Sequence, residues 1–405
     1  MSNGAGVVVI GGGQAGLAVS HELGRSGIDH VMLERDRVGA MWAGLWESFY
    51  INTPSWSVRL PGMPYDGDAP DGFMSRAEIV AHLERYAAFC GAPIREGVDV
   101  TSLRPIDDGF RLETSDGPLR ARSVIVASGT YQAPFRPKGA EGLPPGLMAI
   151  DTRSYRDPAS VPGGTVLVVG AGQSGCQIAE DLVDAGREVI LSCGKAPWAP
   201  RRIGSHDVVW WAIESGFFDG GVDTLPAPTA RFAANVTASG IDGGHDLSAR
   251  TLRTKGVTLV GRFAGCEVGR IRFDDDLAES IAWGDARYRE LMEEVVALCA
   301  ERNIARPALP EPEPFDPRAP GSLDVDGIGA VVFSGGFRPD YARWVHVPDA
   351  FDDMGFPVQR NGASAVAPGL FFVGVHFLRK RQSSLLCGVG EDAAIVAQGV
   401  SRHLA

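Results

Sequence analysis

The chain has 405 residues, and its hydrophobic content of 44% is enough for two domains with separate cores. Its net charge of −12 excludes a general nucleic-acid binder, because no broad basic surface is available for phosphate backbones. No apolar run reaches the roughly 18 residues needed to cross a bilayer and no signal peptide is evident, so we expect a cytoplasmic protein without membrane contact.

The first predicted elements form a β-α-β unit. A Val-rich strand at residues 6–10 is followed by a glycine loop, a helix and a second strand at residues 30–33, which closes on Glu34. Farther along, Ser75 and Glu78 have the spacing of a capping box and predict the start of a helix. Residues 123–127 then predict a further buried strand.

The same β-α-β pattern recurs at residues 165–192, with a second glycine loop at 170–175. Residues 205–273 are irregular, whereas residues 280–302 have helical spacing and precede a stretch with five prolines that we expect to be extended. Strands at 330–333 and 370–373 and a helix from about Glu391 complete the chain.

These elements predict an α/β fold with two Rossmann-like dinucleotide-binding domains. We assign residues 1–158 and 322–405 to a discontinuous FAD-binding domain. An NADPH-binding domain, residues 159–321, is inserted within it and carries an irregular and helical insertion at about 205–305.

Both glycine loops match the pattern G-x-G-x-x-G, at Gly11, Gly13 and Gly16 and at Gly170, Gly172 and Gly175. In this pattern the first glycine permits a sharp turn off the strand, and the second lets a pyrophosphate approach the backbone. The third allows helix and strand to pack closely, so that the helix N-terminus faces the diphosphate. The alternative is an ordinary strand–turn–helix corner without a ligand.

The strand ends after the two loops suggest different nucleotides. Glu34 ends the first unit, and a carboxylate there accepts hydrogen bonds from a ribose diol, which suits FAD or NAD(H). The second unit ends at Ser192 without an acid, and Lys195 and Arg201 follow. A hydroxyl with cations suits the 2′-phosphate of NADPH. The alternative is that Lys195 and Arg201 are solvated surface charges.

Four further segments carry a family resemblance: residues 39–42 (GAMW), residues 51–54 around Asn52, residues 127–129 (ASG) and residues 369–374 (GLFFVG). With the glycine loops, they resemble the two-dinucleotide-binding flavoproteins. Within that class, the chain is most similar to the flavin-containing and Baeyer–Villiger monooxygenases.

The resemblance implies an enzyme that uses NADPH and O2 to oxygenate a small organic substrate at N, S or C through a C4a-peroxyflavin. Asn52 is the implied catalytic residue, near the reactive edge of the flavin. Other implied cofactor-binding residues are Gln14, Ala15, Arg35, Trp42, Ser128, Gly129, Gln173, Ser174, Trp198, Gly374 and His376. For Trp198 and His376, packing in a core is the alternative. No metal site is expected, and a homodimer is compatible with the sequence.

One family signature is altered. Asp151 occupies the place of the histidine in the fingerprint that precedes the second loop. The sequence therefore leaves open an NADPH oxidase or reductase that transfers no oxygen, and a flavin-binding redox sensor that is not an enzyme. A disulfide reductase is disfavoured, because the six cysteines form no C-x-x-C pair.

Overall fold

The computed structural model describes residues 4–405. Over this part of the chain the α-helices are α1 (Gln14–Arg25), α2 (Ala40–Ala43), α3 (Arg76–Cys90), α4 (Gln173–Asp184), α5 (Val208–Glu214), α6 (Ala249–Thr254), α7 (Leu277–Arg302) and α8 (Val389–Leu404). Within these residues, no helix is both long and apolar enough to pass through a bilayer.

The strands over the same residues are β1 (Gly4–Ile10), β2 (His30–Glu34), β3 (Arg59–Leu60), β4 (Met63–Pro64), β5 (Ile94–Glu96), β6 (Val100–Ile106), β7 (Gly109–Thr114), β8 (Leu119–Val126), β9 (Ala133–Pro134), β10 (Met148–Asp151), β11 (Thr165–Val169), β12 (Val189–Ser192), β13 (Arg202–Ile203), β14 (His206–Asp207), β15 (Thr258–Val260), β16 (Phe263–Glu267), β17 (Arg270–Phe273), β18 (Ser322–Asp324), β19 (Ile328–Phe333), β20 (Phe337–Arg338), β21 (Gln359–Arg360), β22 (Ala363–Ser364) and β23 (Leu370–Phe372).

The larger sheet has a parallel centre. β1 lies between β2 and β8, and β23 pairs with the other edge of β8. β1 is buried on both faces, because α1, α3 and α8 cover one face and a second apolar cluster covers the other. The strands predicted around residues 6–10, 30–33, 123–127 and 370–373 are confirmed. The Ser75–Glu78 capping box is also present, at the start of α3.

The smaller sheet has five parallel strands in the order β10-β19-β11-β12-β15. Its β11-α4-β12 segment repeats the β1-α1-β2 segment of the larger sheet, with a glycine loop at the same place. The predicted fold class, α/β with two Rossmann-like units, is confirmed.

Two strands of the smaller sheet, β10 and β19, come from the ranges that the sequence assigned to the FAD-binding domain. Ala330 of β19 pairs with Met148 of β10 on one side and with Val166 of β11 on the other. A short, buried apolar strand fits the centre of either sheet, so its long-range partners decide its place.

The predicted helix at residues 280–302 is confirmed as α7, which begins three residues earlier, at Leu277. Its Tyr288, Met292 and Val295 pack in one apolar cluster with Trp211 of α5. The proline-rich residues after it, 304–321, contain neither helix nor strand.

Candidate active site

The first glycine loop turns sharply between β1 and α1. Gly11 has a φ of +113°, and a Cβ on Gly16 would lie 1.9 Å from the Gly11 carbonyl oxygen. Gly13 differs, because a Cβ placed there would meet no heavy atom within 4 Å. No side chain caps the N-terminus of α1. Free N–H groups facing open space fit the pyrophosphate of a dinucleotide.

Glu34 holds this loop in shape. Its carboxylate accepts hydrogen bonds from the backbone N–H groups of Gly12, at 2.6 Å, and Asp36, at 3.0 Å. The side chain is half-buried at the end of β2, where a ribose diol would lie beside the loop. Arg35 is exposed and lies 3.4 Å from the Asp36 carboxylate, so it faces solvent beside the site.

The first turn of α1 is joined to two predicted flavin-contacting segments. The Trp42 indole N–H donates to the Gln14 side-chain oxygen at 3.3 Å, and the Gln14 amide donates to the Ser384 carbonyl at 3.2 Å. A Cβ on Gly374 would lie 2.4 Å from the Ala15 Cβ. The C-terminal return after β23 therefore touches the start of α1.

The turn after β8 lies against the same region. The Gly129 carbonyl accepts hydrogen bonds from the Gln132 amide, at 2.6 Å, and from the Tyr341 hydroxyl, at 2.8 Å. Thr130 accepts from the backbone N–H of His376 at 2.8 Å. Ser128, one residue earlier, accepts from Gln132 at 3.3 Å. The carboxyl ends of β8 and β23 are thus joined beside the first loop.

Asn52 connects this region to the second glycine loop. Its side-chain amide donates to the Gln173 side-chain oxygen at 3.1 Å. Gln173 is the first residue of α4 and also bonds both backbone groups of Ala238, at 2.7 and 3.0 Å. The Asn52 amide therefore has a fixed orientation between the two loops.

The second loop repeats the sharp turn of the first. Gly170 has a φ of +114°, and a Cβ on Gly175 would lie 1.8 Å from the Gly170 carbonyl oxygen. Ser174 lies next to Gly175 in the first turn of α4, whose N-terminus carries no side-chain cap. A Cβ on Gly172 would lie 3.5 Å from the Ala234 Cβ, so residues near 234 cover this loop where the first is open.

Arg201 does not lie where the 2′-phosphate prediction requires. Its side chain is 3% exposed and donates two hydrogen bonds to Asp207, at 2.6 and 2.7 Å. A third nitrogen donates to the Asn52 carbonyl at 2.7 Å. Burial lowers the pKa of Arg201 even though Asp207 opposes the change. We therefore withdraw Arg201 from the nucleotide contacts and assign it to the support of the Asn52 loop.

The other two predicted 2′-phosphate contacts, Ser192 and Lys195, differ in their exposure. Ser192 is buried and donates to the Gly261 carbonyl at 2.9 Å, so its hydroxyl is not presented to a ligand. Its contact with a 2′-phosphate stays a prediction. Lys195 is half-exposed and pairs with the exposed Glu279 at 2.7 Å, a pairing that a phosphate can replace.

Trp198 has a packing role. Its indole N–H donates to Asp285 at 3.0 Å, and its ring stacks on Tyr288 of α7 with the centroids 4.6 Å apart. It nonetheless lines a small cleft at the end of β12 together with Cys193 and Arg250. The structure therefore places it close to Ala171 of the second glycine loop and fixes its orientation.

His376 lies after Gly374, close to the turn that follows β8. Its Nδ1 is buried, with no hydrogen-bond partner in residues 4–405. Burial lowers the pKa of His376 to about 4, and the charges of Arg381 and Arg231 add to this effect. The imidazole is therefore neutral at pH 7. The sequence did not suggest either arginine, because one lies in the irregular region and the other beyond the resemblance motifs.

Asp151, in place of the fingerprint histidine, ends β10. Its carboxylate accepts two hydrogen bonds from Arg136, at 2.8 and 2.9 Å. Elsewhere in residues 4–405, no group of three His, Cys, Asp or Glu side chains is placed to bind a metal ion, and the six cysteines are unpaired.

Comparison with known families supports the arrangement of two nucleotide loops. Residues 8–211 match the model of the pyridine nucleotide-disulphide oxidoreductase family. The chain belongs to this family. Its members bind FAD and a pyridine nucleotide.

Two relatives show different degrees of similarity. An uncharacterized CzcO-like oxidoreductase of Geobacillus kaustophilus is 29% identical over 403 residues, which covers 98% of both proteins. Flavin-containing monooxygenase 3 of Rattus norvegicus is 26% identical over 231 residues, which covers 50% of this chain and 43% of that protein.

Solved structures share the fold. A flavin-containing monooxygenase from Stenotrophomonas maltophilia aligns over 100% of both chains with a TM-score of 0.70 and 21% identity. The bacillithiol disulfide reductase from Staphylococcus aureus aligns over 98% of both chains with a TM-score of 0.64 and 12% identity. The protein described here is a flavin-dependent pyridine-nucleotide oxidoreductase.

Proposed function

We propose that this oxidoreductase is a monooxygenase that uses FAD, NADPH and O2 to oxygenate a small organic substrate. The observation that carries the proposal is the hydrogen bond from the Asn52 amide to Gln173. It joins Asn52, the residue that the resemblance puts beside the flavin, to the second glycine loop, so that a nicotinamide held at that loop would lie close to the flavin. The similarity of half the chain to flavin-containing monooxygenase 3 supports the same assignment.

FAD, when bound, supplies the chemistry that joins two electrons from NADPH to O2, so that one oxygen atom enters the substrate and the other leaves as water. The protein has to position the groups and exclude water, because the activated oxygen is otherwise lost as H2O2. Trp46 is buried and meets the Phe49 ring edge-on at 5.1 Å, and the Trp42 ring lies 6.0 Å from the same phenylalanine. We propose that these aromatic rings line the site and exclude water from it.

NADPH remains the proposed reductant, although fewer residues support it than the sequence suggested. Residues 192–195 contain no acidic side chain that would repel a 2′-phosphate. Lys195 is the one predicted phosphate contact that the structure leaves half-exposed. Since one exposed cation contributes about 1 kcal/mol, we expect a preference for NADPH over NADH of about fivefold.

The second candidate is an NADPH oxidase that transfers no oxygen to a substrate. The observation behind it is Asp151, whose carboxylate is engaged by Arg136 where related monooxygenases carry a histidine. The two candidates differ in one product, since an oxidase forms one H2O2 for each NADPH whatever substrate is present.

Asn52→Ala should uncouple the enzyme. The variant loses the amide donor that Gln173 orients, and loss of one oriented donor typically costs about a hundredfold in rate. With NADPH, air and methyl phenyl sulfide, we expect sulfoxide formation to fall by about that factor while H2O2 rises towards one per NADPH. FAD content should not change, because Asn52 makes no contact with the first glycine loop.

Gln173→Ala is the matched variant, because it removes the acceptor of the Asn52 amide. If the pair acts as one unit, the double variant should be no more uncoupled than either single one. Unchanged coupling in Asn52→Ala would contradict the role proposed for this amide.

A further inference from the structure

Two arginines from distant parts of the chain lie close enough to His376 for their charges to lower its pKa. Arg231 lies in the 3-10 helix Pro228–Phe232 of the insertion, and its charge helps to lower the pKa of His376. Arg381 begins the 3-10 helix Arg381–Ser384 after the C-terminal return. Its guanidinium donates to the Asn235 side chain at 3.3 Å and so reaches the same insertion.

Arg381 has no ion pair with a carboxylate among residues 4–405. The neighbouring Lys380 pairs with Asp219, whereas the Arg381 Nε is buried without a hydrogen-bond partner in these residues. The guanidinium lies 4.2 Å from the ring centre of Phe217 and 4.9 Å from that of Phe377. Burial among these rings lowers the pKa of Arg381. Burying a cation without a partner destabilises a folded protein. This arginine is unpaired even though the chain contains 50 acidic residues.

Arg231 adds a second unused donor but no net charge. Its side chain is 14% exposed, and one nitrogen lies 3.4 Å from Asp352. The Asp352 carboxylate offsets the Arg231 charge, and His376 is neutral at pH 7, so the charge of Arg381 remains as the excess. The Arg231 Nε is also buried without a partner in residues 4–405. Two free N–H donors around one excess positive charge match a monoanion, such as a carboxylate.

The cluster of Arg231, His376 and Arg381 borders the site of the proposed reaction. Ser384, in the same short helix as Arg381, accepts from Gln14 at the start of α1. The backbone N–H of His376 donates to Thr130 in the turn after β8. A carboxylate held by the arginines would therefore place the rest of its molecule beside the half-buried ring of Phe217.

We propose that Arg381 and Arg231 form a carboxylate-binding site, and that the substrates of this enzyme are small organic acids with an apolar body. The identification of these acids as substrates rests on the proposed function. The carboxylate-binding site itself is tested by binding alone.

The test is calorimetric titration of the FAD-loaded, full-length protein with benzoate and with benzamide, a neutral molecule of the same shape. We expect benzoate to bind about tenfold tighter than benzamide, since a charge-assisted hydrogen bond contributes about 1.5 kcal/mol or more. Arg381→Met should reduce this ratio to about one. Arg381→Lys should keep part of it, because the charge remains but the fork of donors is lost.

Arg270→Met is the matched control, because it removes an exposed arginine paired with Asp324 at a distant surface and should leave the ratio unchanged. Equal binding of benzoate and benzamide by the wild type would overturn the proposal. So would an Arg381→Met protein that loses FAD while benzoate binding persists in the remaining holoenzyme, since the cluster would then serve the flavin. A failure of oxygenation with intact benzoate selectivity would refute the proposed function and leave the site standing.

Discussion

Gly13→Ala should fold as the wild type does and yet lose FAD. A Cβ at this position meets no heavy atom of the protein within 4 Å, so the methyl group causes no clash in the fold. It would nevertheless occupy the space in front of the α1 N-terminus, where a pyrophosphate must touch the backbone. Losing this contact should weaken FAD binding by on the order of 3 kcal/mol, about a hundredfold in Kd.

Two glycines of the same helix serve as controls, with flavin absorbance per protein and the thermal midpoint as measurements. Gly24→Ala also meets no atom within 4 Å but lies far from the loop, so FAD content should persist and stability should rise by about 0.5–1 kcal/mol. Gly16→Ala should fail to fold correctly, because its Cβ would lie 1.9 Å from a carbonyl oxygen. Full FAD content in Gly13→Ala would show that the pyrophosphate lies elsewhere.

Arg201→Ala should destabilise the protein strongly and should not primarily change nicotinamide preference. The substitution leaves the Asp207 carboxylate buried without its bidentate partner and removes the donor to the Asn52 carbonyl. Breaking a buried ion pair from one side typically costs about 3–5 kcal/mol. The urea midpoint of unfolding is the measurement, with the ratio of NADPH to NADH kcat/KM as a second readout.

Arg202→Ala is the control for this prediction, because Arg202 is exposed and donates to the nearby Ser205 carbonyl. Its stability should lie within about 0.5 kcal/mol of the wild type. Arg201→Lys, which keeps the charge, should fall between the two variants. A stable Arg201→Ala protein with a lost NADPH preference would restore the 2′-phosphate role that the structure argues against.

The two β-α-β units could be predicted because their signals are local. Each unit needs a buried strand, glycines at fixed positions and a helix within about 30 residues, and every one of these features is visible in a short window. Glu34 is predictable for the same reason, because it is the acid that ends β2. Its hydrogen bond from the Gly12 N–H is not predictable, because the sequence pattern indicates a ribose contact and not a bond within the loop.

The errors concern residues whose environment is set by distant parts of the chain. Arg201 follows β12 closely in sequence, but its partners include Asp246 and Asn52, which place it in the interior. Strand β19 is apolar enough for either sheet, and its pairing with β11 joins residues more than 150 positions apart. Arg231 and Arg381 lie 150 positions apart in sequence, and the charges of both lower the pKa of His376.

The central claim is oxygen transfer to a substrate, and isotopically labelled O2 tests it most directly. The FAD-loaded protein is incubated with NADPH, labelled O2 and, in separate reactions, methyl phenyl sulfide, its para-carboxylate, N,N-dimethylaniline and cyclohexanone. We predict that at least one product carries a single labelled oxygen atom and that product and H2O2 together equal the NADPH consumed. Stoichiometric H2O2 with no labelled product in any reaction would contradict the claim and identify the protein as an NADPH oxidase.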